Sequence, residues 1–306
     1  MRTQINRKRR NQRMIIVGIV VVVGVILVGS AYYLSTLTTP GGNLIGKPLS
    51  TIDYQNLYSV SQKGYGTFNQ TLMQKIQNFN GTVLSSGTKP VIIYIGADYC
   101  PYCAFQRWPL VMALMRFGNF TNLSYMQSSS TDVYADSPTF SFYGSTYTSK
   151  YIVFQGYEQE DRNQNPQQTV PSNYTAVFQQ FGSSYPFIDF ANKYVASGSF
   201  YFPDQLDGKN WTQIIQLLSS SNVLSNEVVT AANAMTAAIC KVTPNALSSV
   251  CGNSSITTLT SVLAAYHPSG ASSTAETPLQ NAQAAGGQSF TMDLASVPTG
   301  PRESGR

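Results

Sequence analysis

The feature that most constrains this chain is an uncharged apolar stretch near its N-terminus, residues 14–34. A helix rises ~1.5 Å per residue, so a stretch of this length can cross the ~30 Å hydrocarbon core of a bilayer. Six basic and no acidic residues precede it, and such basic flanks stay in the cytoplasm. We therefore expect a single-pass protein of the cell membrane, with a cytoplasmic basic tail (1–13), a transmembrane helix (14–34) and an extracytoplasmic main domain. The alternative is a cleaved secretory signal, whose apolar core is usually only ~7–15 residues long.

The charge of the chain is unevenly distributed. The formal net charge is +5, but from Ser35 onward there are thirteen basic and fourteen acidic residues. The excess of basic residues therefore belongs to the N-terminal tail and gives no reason to expect nucleic-acid binding. Charged residues are 11% of the chain, compared with about 25% in typical soluble domains, and neutral polar side chains take their place. Because such groups do not titrate, we expect folding to depend weakly on pH, as would suit an acidic exterior.

Composition also predicts how the chain is organised outside the membrane. We expect a flexible stalk (35–50), a folded domain (51–267) and a disordered low-complexity tail (268–306). Residues 211–218, 226–239 and 254–266 have helical spacing, which predicts a helical extension over about 205–267, with Asp207 or Asn210 capping its first helix. In an exported chain, Asn-x-Ser/Thr sequences are candidate glycosylation sites. They lie at Asn69, Asn80, Asn119, Asn122, Asn173, Asn210 and Asn253.

The first pair of cysteines, Cys100 and Cys103, lies in KPVIIYIGADYCPYCAFQRWPLVMALMRFGNF. The apolar, β-branched run 91–95 predicts a buried central strand. A helix is expected from Pro101 to about Gly118, with a kink at Pro109. This places Cys100 at a helix N-terminus, where unpaired N–H groups should lower its pKa from ~8.5. Cys100 is thus the predicted attacking sulfur, and Cys103 the more shielded, resolving one.

Two other interpretations compete for this CxxC motif. A zinc site needs a second CxxC or a histidine pair, but the chain has a single histidine, His267, so we expect no metal. A purely structural disulfide is the stronger alternative, because exported chains oxidise. The strand–turn–CxxC–helix context is more specific than the four letters and favours redox chemistry.

Two segments carry a resemblance to known proteins. VIIYIGADYCPYC, followed by a kinked helix, resembles the active-site segment of the thioredoxin superfamily. CPYCAFQRW…ALMRFGNF and SYMQSSSTDVYADSPTFSFYGSTYTSKYIVFQGYE are similar to a family of membrane-anchored archaeal proteins of unknown function with a thioredoxin-like fold, over roughly residues 50–265. The resemblance implies an α/β, thioredoxin-like fold with insertions and a C-terminal helical extension, preceded by one transmembrane helix.

The resemblance also implies a cis-proline beside the dithiol, and two positions are candidates. Pro186 follows Tyr185 and precedes FIDFANKYVASG, whereas Pro138 precedes TFSFYGSTYTSKYIVF; both segments look like hairpins. An aromatic residue before proline and the clearer downstream pattern favour Pro186. Pro186, Tyr185 and Tyr102 are therefore the implied substrate-binding residues. The superfamily has a buried Asp six residues before the first cysteine, where it assists proton transfer; here that position is Tyr94. Asp98 lies nearer to the CPYC motif and is expected to be exposed.

The second pair of cysteines, Cys240 and Cys251, flanks ten residues and most simply forms a structural disulfide. A second redox or shuttle pair is the alternative. A run of charges is expected to form a solvated loop; it contains Glu158, Glu160, Asp161 and Arg162.

Two functional hypotheses follow. The first is a membrane-anchored thiol–disulfide oxidoreductase that oxidises or isomerises disulfides, with cysteine-containing exported proteins as substrates and a membrane redox partner that recycles the dithiol. The second is a non-catalytic, thioredoxin-like surface glycoprotein that binds a partner or the cell envelope. No phosphate loop or Ser/His/Asp set occurs in the sequence, so we expect no cofactor.

Overall fold

The computed structural model describes residues 41–66, 69–79, 81–244 and 246–265, together with helical residues 18, 21–24 and 26. Within the predicted transmembrane span, the described side chains of 21–23 and 26 are 47–61% exposed. The rest of that span and the predicted tails 1–13 and 268–306 lie outside the described residues. The chain divides into two units, Met1–Pro268 and Ser269–Arg306, and the whole second unit lies outside the described residues.

The described part of the chain mixes helices and strands. The α-helices are α1 (Thr51–Lys63), α2 (Gln70–Met73), α3 (Pro101–Met115), α4 (Ser172–Gln180), α5 (Trp211–Leu218), α6 (Val223–Val242), α7 (Ser248–Cys251) and α8 (Ser254–Ala265). The strands are β1 (Ile76–Asn78), β2 (Ser85–Ser86), β3 (Lys89–Gly96), β4 (Gly118–Thr121), β5 (Ser124–Gln127), β6 (Pro138–Ser141), β7 (Thr146–Ser149), β8 (Val153–Glu158), β9 (Phe187–Phe190) and β10 (Tyr194–Ser197). Short 3-10 helices span Gly42–Leu44 and Pro203–Leu206.

Strand β3 lies at the centre of a six-stranded mixed sheet, as its apolar sequence predicts. Its parallel neighbour is β8, and its antiparallel neighbour is β9. Strands β9 and β10 form an antiparallel hairpin, and β1 extends the sheet beyond β10. The hairpin predicted after Pro186 is therefore present.

The sheet is covered on both faces, and each face packs in its own hydrophobic core. Successive side chains of β3 point alternately into the two cores. Ile92 and Tyr94 belong to the larger core, with the buried residues of α3, α5 and α6. The other face of the strand, 91, 93 and 95, packs in a smaller core with Val170 and Phe178 of the α4 region. Since a strand buried on both faces cannot alternate with polar residues, the run VIIYI is apolar throughout.

Helix α3 carries Pro109 in its interior, where a proline cannot donate to the carbonyl of Phe105, four residues earlier. That carbonyl oxygen accepts instead from the buried hydroxyl of Tyr201, at 2.9 Å. One residue earlier, the carbonyl of Ala104 accepts from Thr139 Oγ1 at 2.8 Å. Side chains from distant segments thus satisfy the backbone where the helix ladder is interrupted. The helix ends at Met115, three residues before the predicted stop at Gly118.

The three helices predicted after residue 205 are confirmed as α5, α6 and α8. Asn210, not Asp207, caps α5: its side chain accepts from Gln213 N, and the Gln213 side chain accepts from Asn210 N in return. These helices do not form a separate extension, because their apolar side chains share the main core with α3. At the interface of α3 and α6, Arg116 Nη1 donates to Thr236 Oγ1 at 2.7 Å. Helix α6 is long and apolar enough to cross a membrane, but most of it is buried in this core.

Two expectations about local organisation need correction. Of the predicted flexible stalk 35–50, the described residues 41–50 are bonded to the domain: Gly46 N and Leu49 N donate to backbone oxygens of Tyr125 and Leu123, both at 2.8 Å. The segment after Pro138 is not a hairpin. Strand β6 pairs with β5, and β7 pairs with β4, so the two apparent arms have separate partners.

Candidate functional site

The two cysteines of the CPYC motif lie where β3 gives way to α3, and both are free thiols. Cys100 is the N-cap residue of α3, and its Sγ accepts a hydrogen bond from Cys103 N at 3.2 Å. Pro101 occupies the first turn, where its missing N–H costs nothing. Cys100 is 6% exposed and Cys103 is fully buried, so Cys100 is the more accessible of the two.

The predicted low pKa of Cys100 is wrong. Burial raises the pKa of this thiol well above its usual value, and the side chain of Cys103 raises it further. The backbone N–H of Cys103 and the charge of Arg107 lower it, but by less. The helix N-terminus therefore acts in the predicted direction, and the loss of hydration outweighs it.

Three tyrosines surround the dithiol. Tyr99, Tyr102 and Tyr185 are partly buried and pack against the small cluster that Cys100 and Cys103 form with Ala97. Burial raises the pKa of Tyr99 to about 12, with the negative charge of Glu160 as the next cause. The resemblance implied Tyr102 and Tyr185 as substrate-binding residues, and both pack against the cluster that contains the two cysteines.

Tyr185 is held in place by its own contacts. Its hydroxyl donates to Gln159 Oε1 at 2.7 Å, and its ring stacks on Phe178 with centroids 5.7 Å apart. The Tyr185–Pro186 peptide bond is cis, and the buried Pro186 leads directly into β9. Pro138, the other candidate, opens β6, and its carbonyl oxygen accepts from Trp108 Nε1 at 2.9 Å.

A buried cluster of charges next to the dithiol was not predicted. Glu158, expected in a solvated loop, ends β8 fully buried, and it accepts from Arg107 Nε at 2.9 Å and Nη2 at 2.5 Å. Asp98, expected to be exposed, is 1% exposed and lies 3.6 Å from Arg107 Nη2. Asp98 Oδ2 also accepts from Ser141 and Gln167, both at 3.1 Å. The expectations that Glu158 is solvated and that Asp98 is exposed were therefore wrong. Both carboxylates can be buried because Arg107 on α3 provides a positive charge beside each of them.

Arg107 is the residue that the sequence reasoning missed. It lies one turn after Cys103 on α3, and its Nη2 also donates to the carbonyl of Ala97 at 2.8 Å. Burial raises the pKa of Glu158 to about 7, although the adjacent guanidinium opposes this. The available signal was a single charged residue inside the apolar run AFQRWPLVMAL. A cation in such a run needs a buried partner.

A family model described as Domain of unknown function (DUF929) matches residues 72–241, more than half of the chain. The chain belongs to the DUF929 family. No curated protein and no solved structure matches the chain. In this DUF929 protein the matched segment includes β1 to β10 and nearly all of α6, and therefore the dithiol, Tyr185 and the Arg107–Glu158 pair.

The other predicted site residues of the DUF929 protein lie away from this centre in sequence. Cys240 and Cys251 form a disulfide that joins the end of α6 to the end of α7. Among the described residues there is no group of three or more His, Cys, Asp or Glu that could hold a metal ion. The sequon asparagines differ in exposure: Asn69, Asn119, Asn122 and Asn173 are exposed, Asn210 and Asn253 are half-buried, and Asn80 lies outside the described residues.

Proposed function

We propose that this DUF929 protein is a thiol–disulfide oxidoreductase acting on exported proteins, held at the outer surface of the membrane by residues 14–34. The observation that carries the proposal is the position of the CPYC pair at the start of α3, with Cys100 as the N-cap residue accepting the backbone N–H of Cys103. A helix N-terminus that follows a central strand presents a sulfur to substrates on one side and holds its partner on the other.

A thioredoxin-like arrangement is part of this proposal. It is supported by the order of β3 and α3, by the parallel neighbour β8, and by the antiparallel β9–β10 hairpin that Pro186 enters. Helices on both faces of the sheet support it as well. In this arrangement Tyr102, Tyr185 and Pro186 contact the substrate chain next to the dithiol.

The proposed exchange follows from the exposure of the two sulfurs. The thiolate of Cys100 attacks a substrate disulfide, forms a mixed disulfide and releases one substrate sulfur as a thiolate, which takes up a proton. The thiolate of Cys103 then attacks Cys100 Sγ, so the Cys100–Cys103 bond forms and the second substrate sulfur leaves. In this direction two electrons pass from the dithiol to the substrate; in the reverse direction a substrate dithiol attacks the Cys100–Cys103 disulfide, and the substrate is oxidised while the CPYC pair is reduced. Isomerisation results when a second substrate thiolate attacks the substrate sulfur of the mixed disulfide, so that a new substrate disulfide forms and Cys100 leaves as the thiolate.

The raised pKa of Cys100 bears on the direction of this chemistry. Strongly oxidising dithiols have a stabilised thiolate, which favours their reduced form. Here burial raises the pKa of Cys100, so the thiolate lacks that stabilisation. Among the activities considered, this supports disulfide isomerisation over strong oxidation. A membrane redox partner would return the dithiol to its working state.

A second candidate function is favoured by the same burial. A Cys100 that is 6% exposed suits a structural disulfide in a non-catalytic surface glycoprotein, which would bind a partner through other surfaces. Such a bridge would have a reduction potential below about −300 mV, as structural disulfides do.

Trapping distinguishes the two functions. Cys103→Ser should accumulate mixed disulfides between Cys100 and exported proteins, because the resolving sulfur is gone, and these should disappear in Cys100→Ser/Cys103→Ser. The readout is non-reducing electrophoresis of the full-length protein from its own membranes. Absence of adducts, together with a Cys100–Cys103 disulfide that resists mild reductant, would refute the oxidoreductase.

A further inference from the structure

Three buried polar atoms without a hydrogen-bond partner lie in one cluster behind the dithiol. They are Tyr94 Oη, Asp98 Oδ1 and Arg107 Nη1. Leaving a buried polar group unpaired costs about 1–3 kcal/mol, and more when the group is charged. Asp98 Oδ1 lies 3.6 Å from Arg107 Nη2 and so has an ion-pair partner, which leaves Tyr94 Oη and Arg107 Nη1 to be explained.

The cluster surrounds Arg107, which contacts the residue on which both cysteines pack. Nη2 donates to the carbonyl of Ala97, and Ala97 packs against both Cys100 and Cys103. The guanidinium also lies 5.6 Å from the centroid of the Tyr94 ring. Arg107 interacts electrostatically with both cysteines, and its charge acts to lower the pKa of Cys100.

Charged and titratable groups meet Arg107 from each element around it. They are Tyr94 on β3, Asp98 in the following loop, Cys100 and Cys103 on its own helix, and Glu158 on β8; Asp161 acts on Asp98. Glu158 uses both carboxylate oxygens on Arg107, whereas Asp98 makes only the longer contact. The guanidinium is thus oriented by Glu158, while Nη1 stays unpaired.

We propose that Arg107 is a positioning residue that stabilises the thiolate formed in the dithiol, and that Glu158 holds its guanidinium in place and limits its effect. The inference rests on the proposed exchange activity, since it assigns the charge that the anionic steps require. Exchange passes through a thiolate in each step, first on Cys100 and then on Cys103. A fixed cation held against Ala97, which packs on both cysteines, favours the thiolate without taking part in bond formation.

The test is the pH dependence of iodoacetamide alkylation of Cys100, in the full-length protein carrying Cys103→Ser. Adding Arg107→Met/Glu158→Gln removes the cation together with the carboxylate that pairs with it most closely, while Asp98 keeps its hydrogen bonds from Ser141 and Gln167. The alkylation midpoint should rise by about one pH unit or more, a tenfold lower thiolate fraction at a given pH. Adding Glu158→Gln alone leaves the cation with only the longer contact to Asp98 as counter-charge, so the midpoint should fall. A purely structural weakening would not move the midpoint in opposite directions.

Arg116→Met is the matched control, because it removes an equally buried cation from the other end of α3 and should leave the midpoint unchanged. Circular dichroism checks that each variant folds. If the double variant does not fold, Glu158→Gln alone decides: a lower alkylation midpoint supports the proposal, and an unchanged or higher midpoint overturns it. Equal shifts in the same direction, or a shift with Arg116→Met as large as that of the double variant, would also overturn it. If only the trapping experiment fails, the proposed exchange activity is refuted. The alkylation midpoints would still report whether Arg107 stabilises the Cys100 thiolate.

Discussion

The bond between Tyr201 and the carbonyl of Phe105 makes a prediction that a double-mutant cycle can test. Tyr201→Phe removes a side-chain donor that compensates for Pro109 at this buried carbonyl, so unfolding free energy should fall by about 1–3 kcal/mol. In Pro109→Ala, the new N–H can donate to Phe105, as in an ordinary helix. Tyr201→Phe should then cost at least about 1 kcal/mol less than it does in the natural chain.

The assay is urea unfolding of the full-length protein in mild detergent, followed by tryptophan fluorescence. The two tryptophans of the chain, Trp108 and Trp211, are at most 1% exposed and therefore report loss of the core. Tyr147→Phe is the matched control: this hydroxyl also donates to a carbonyl of α3, that of Leu114, at 2.8 Å. Its cost should be the same with Pro109 or Ala at position 109.

The cycle cancels any cavity that Pro109→Ala creates, because that cavity is present with either residue at position 201. Equal costs of Tyr201→Phe in the two backgrounds, within about 0.5 kcal/mol, would refute the reasoning. Coupling as large for Tyr147→Phe would refute it too, since the effect would then be general to the helix.

Two further predictions concern stability. Burial raises the pKa of Asp189 to about 7 from an ordinary value of 3.8, so the folded state keeps a proton that the unfolded state releases in that window, and stability should fall as pH rises through it. In urea unfolding, the protein should be more stable at pH 5 than at pH 8 by about 1–4 kcal/mol. Asp189→Asn keeps an acceptor for Asn192 N and should reduce this difference in stability. An unchanged difference would count against Asp189 as its source. Cys240→Ser/Cys251→Ser opens a loop with a sequence separation of 11 and should lower unfolding free energy by about 3 kcal/mol, with no further loss on adding reductant. If reductant destabilises this variant as much as the natural chain, the stabilising bridge lies elsewhere.

The elements that could be predicted from sequence are those specified by neighbouring residues. The run VIIYI predicts a central strand because both its faces are apolar, and WTQIIQLL predicts a helix because its apolar residues recur at helical spacing. Asn210 could be named as a cap because a cap needs only the residues that follow it. Each of these interactions spans a few positions in the chain.

What could not be predicted depends on residues far apart in sequence. Glu158 looked solvated because Arg107, its partner, lies 51 positions earlier in a helix that appeared wholly apolar. The pKa of Cys100 was assigned from the helix N-terminus, a local effect, whereas its burial comes from elements that fold around it. The segment after Pro138 resembled a hairpin because alternation identifies strands but not their partners.

The packing of α6 on α3 has a consequence for the biogenesis of the chain. Synthesis proceeds from the N-terminus, so α3 is complete about 110 residues before α6 begins. At about 5–20 residues per second, the apolar face of α3 waits roughly 5–20 s for the helix that covers it. Gln106, which contacts Met235 in the finished protein, is exposed during that interval with its apolar neighbours. The nascent domain therefore exposes this apolar surface until its last third has been made.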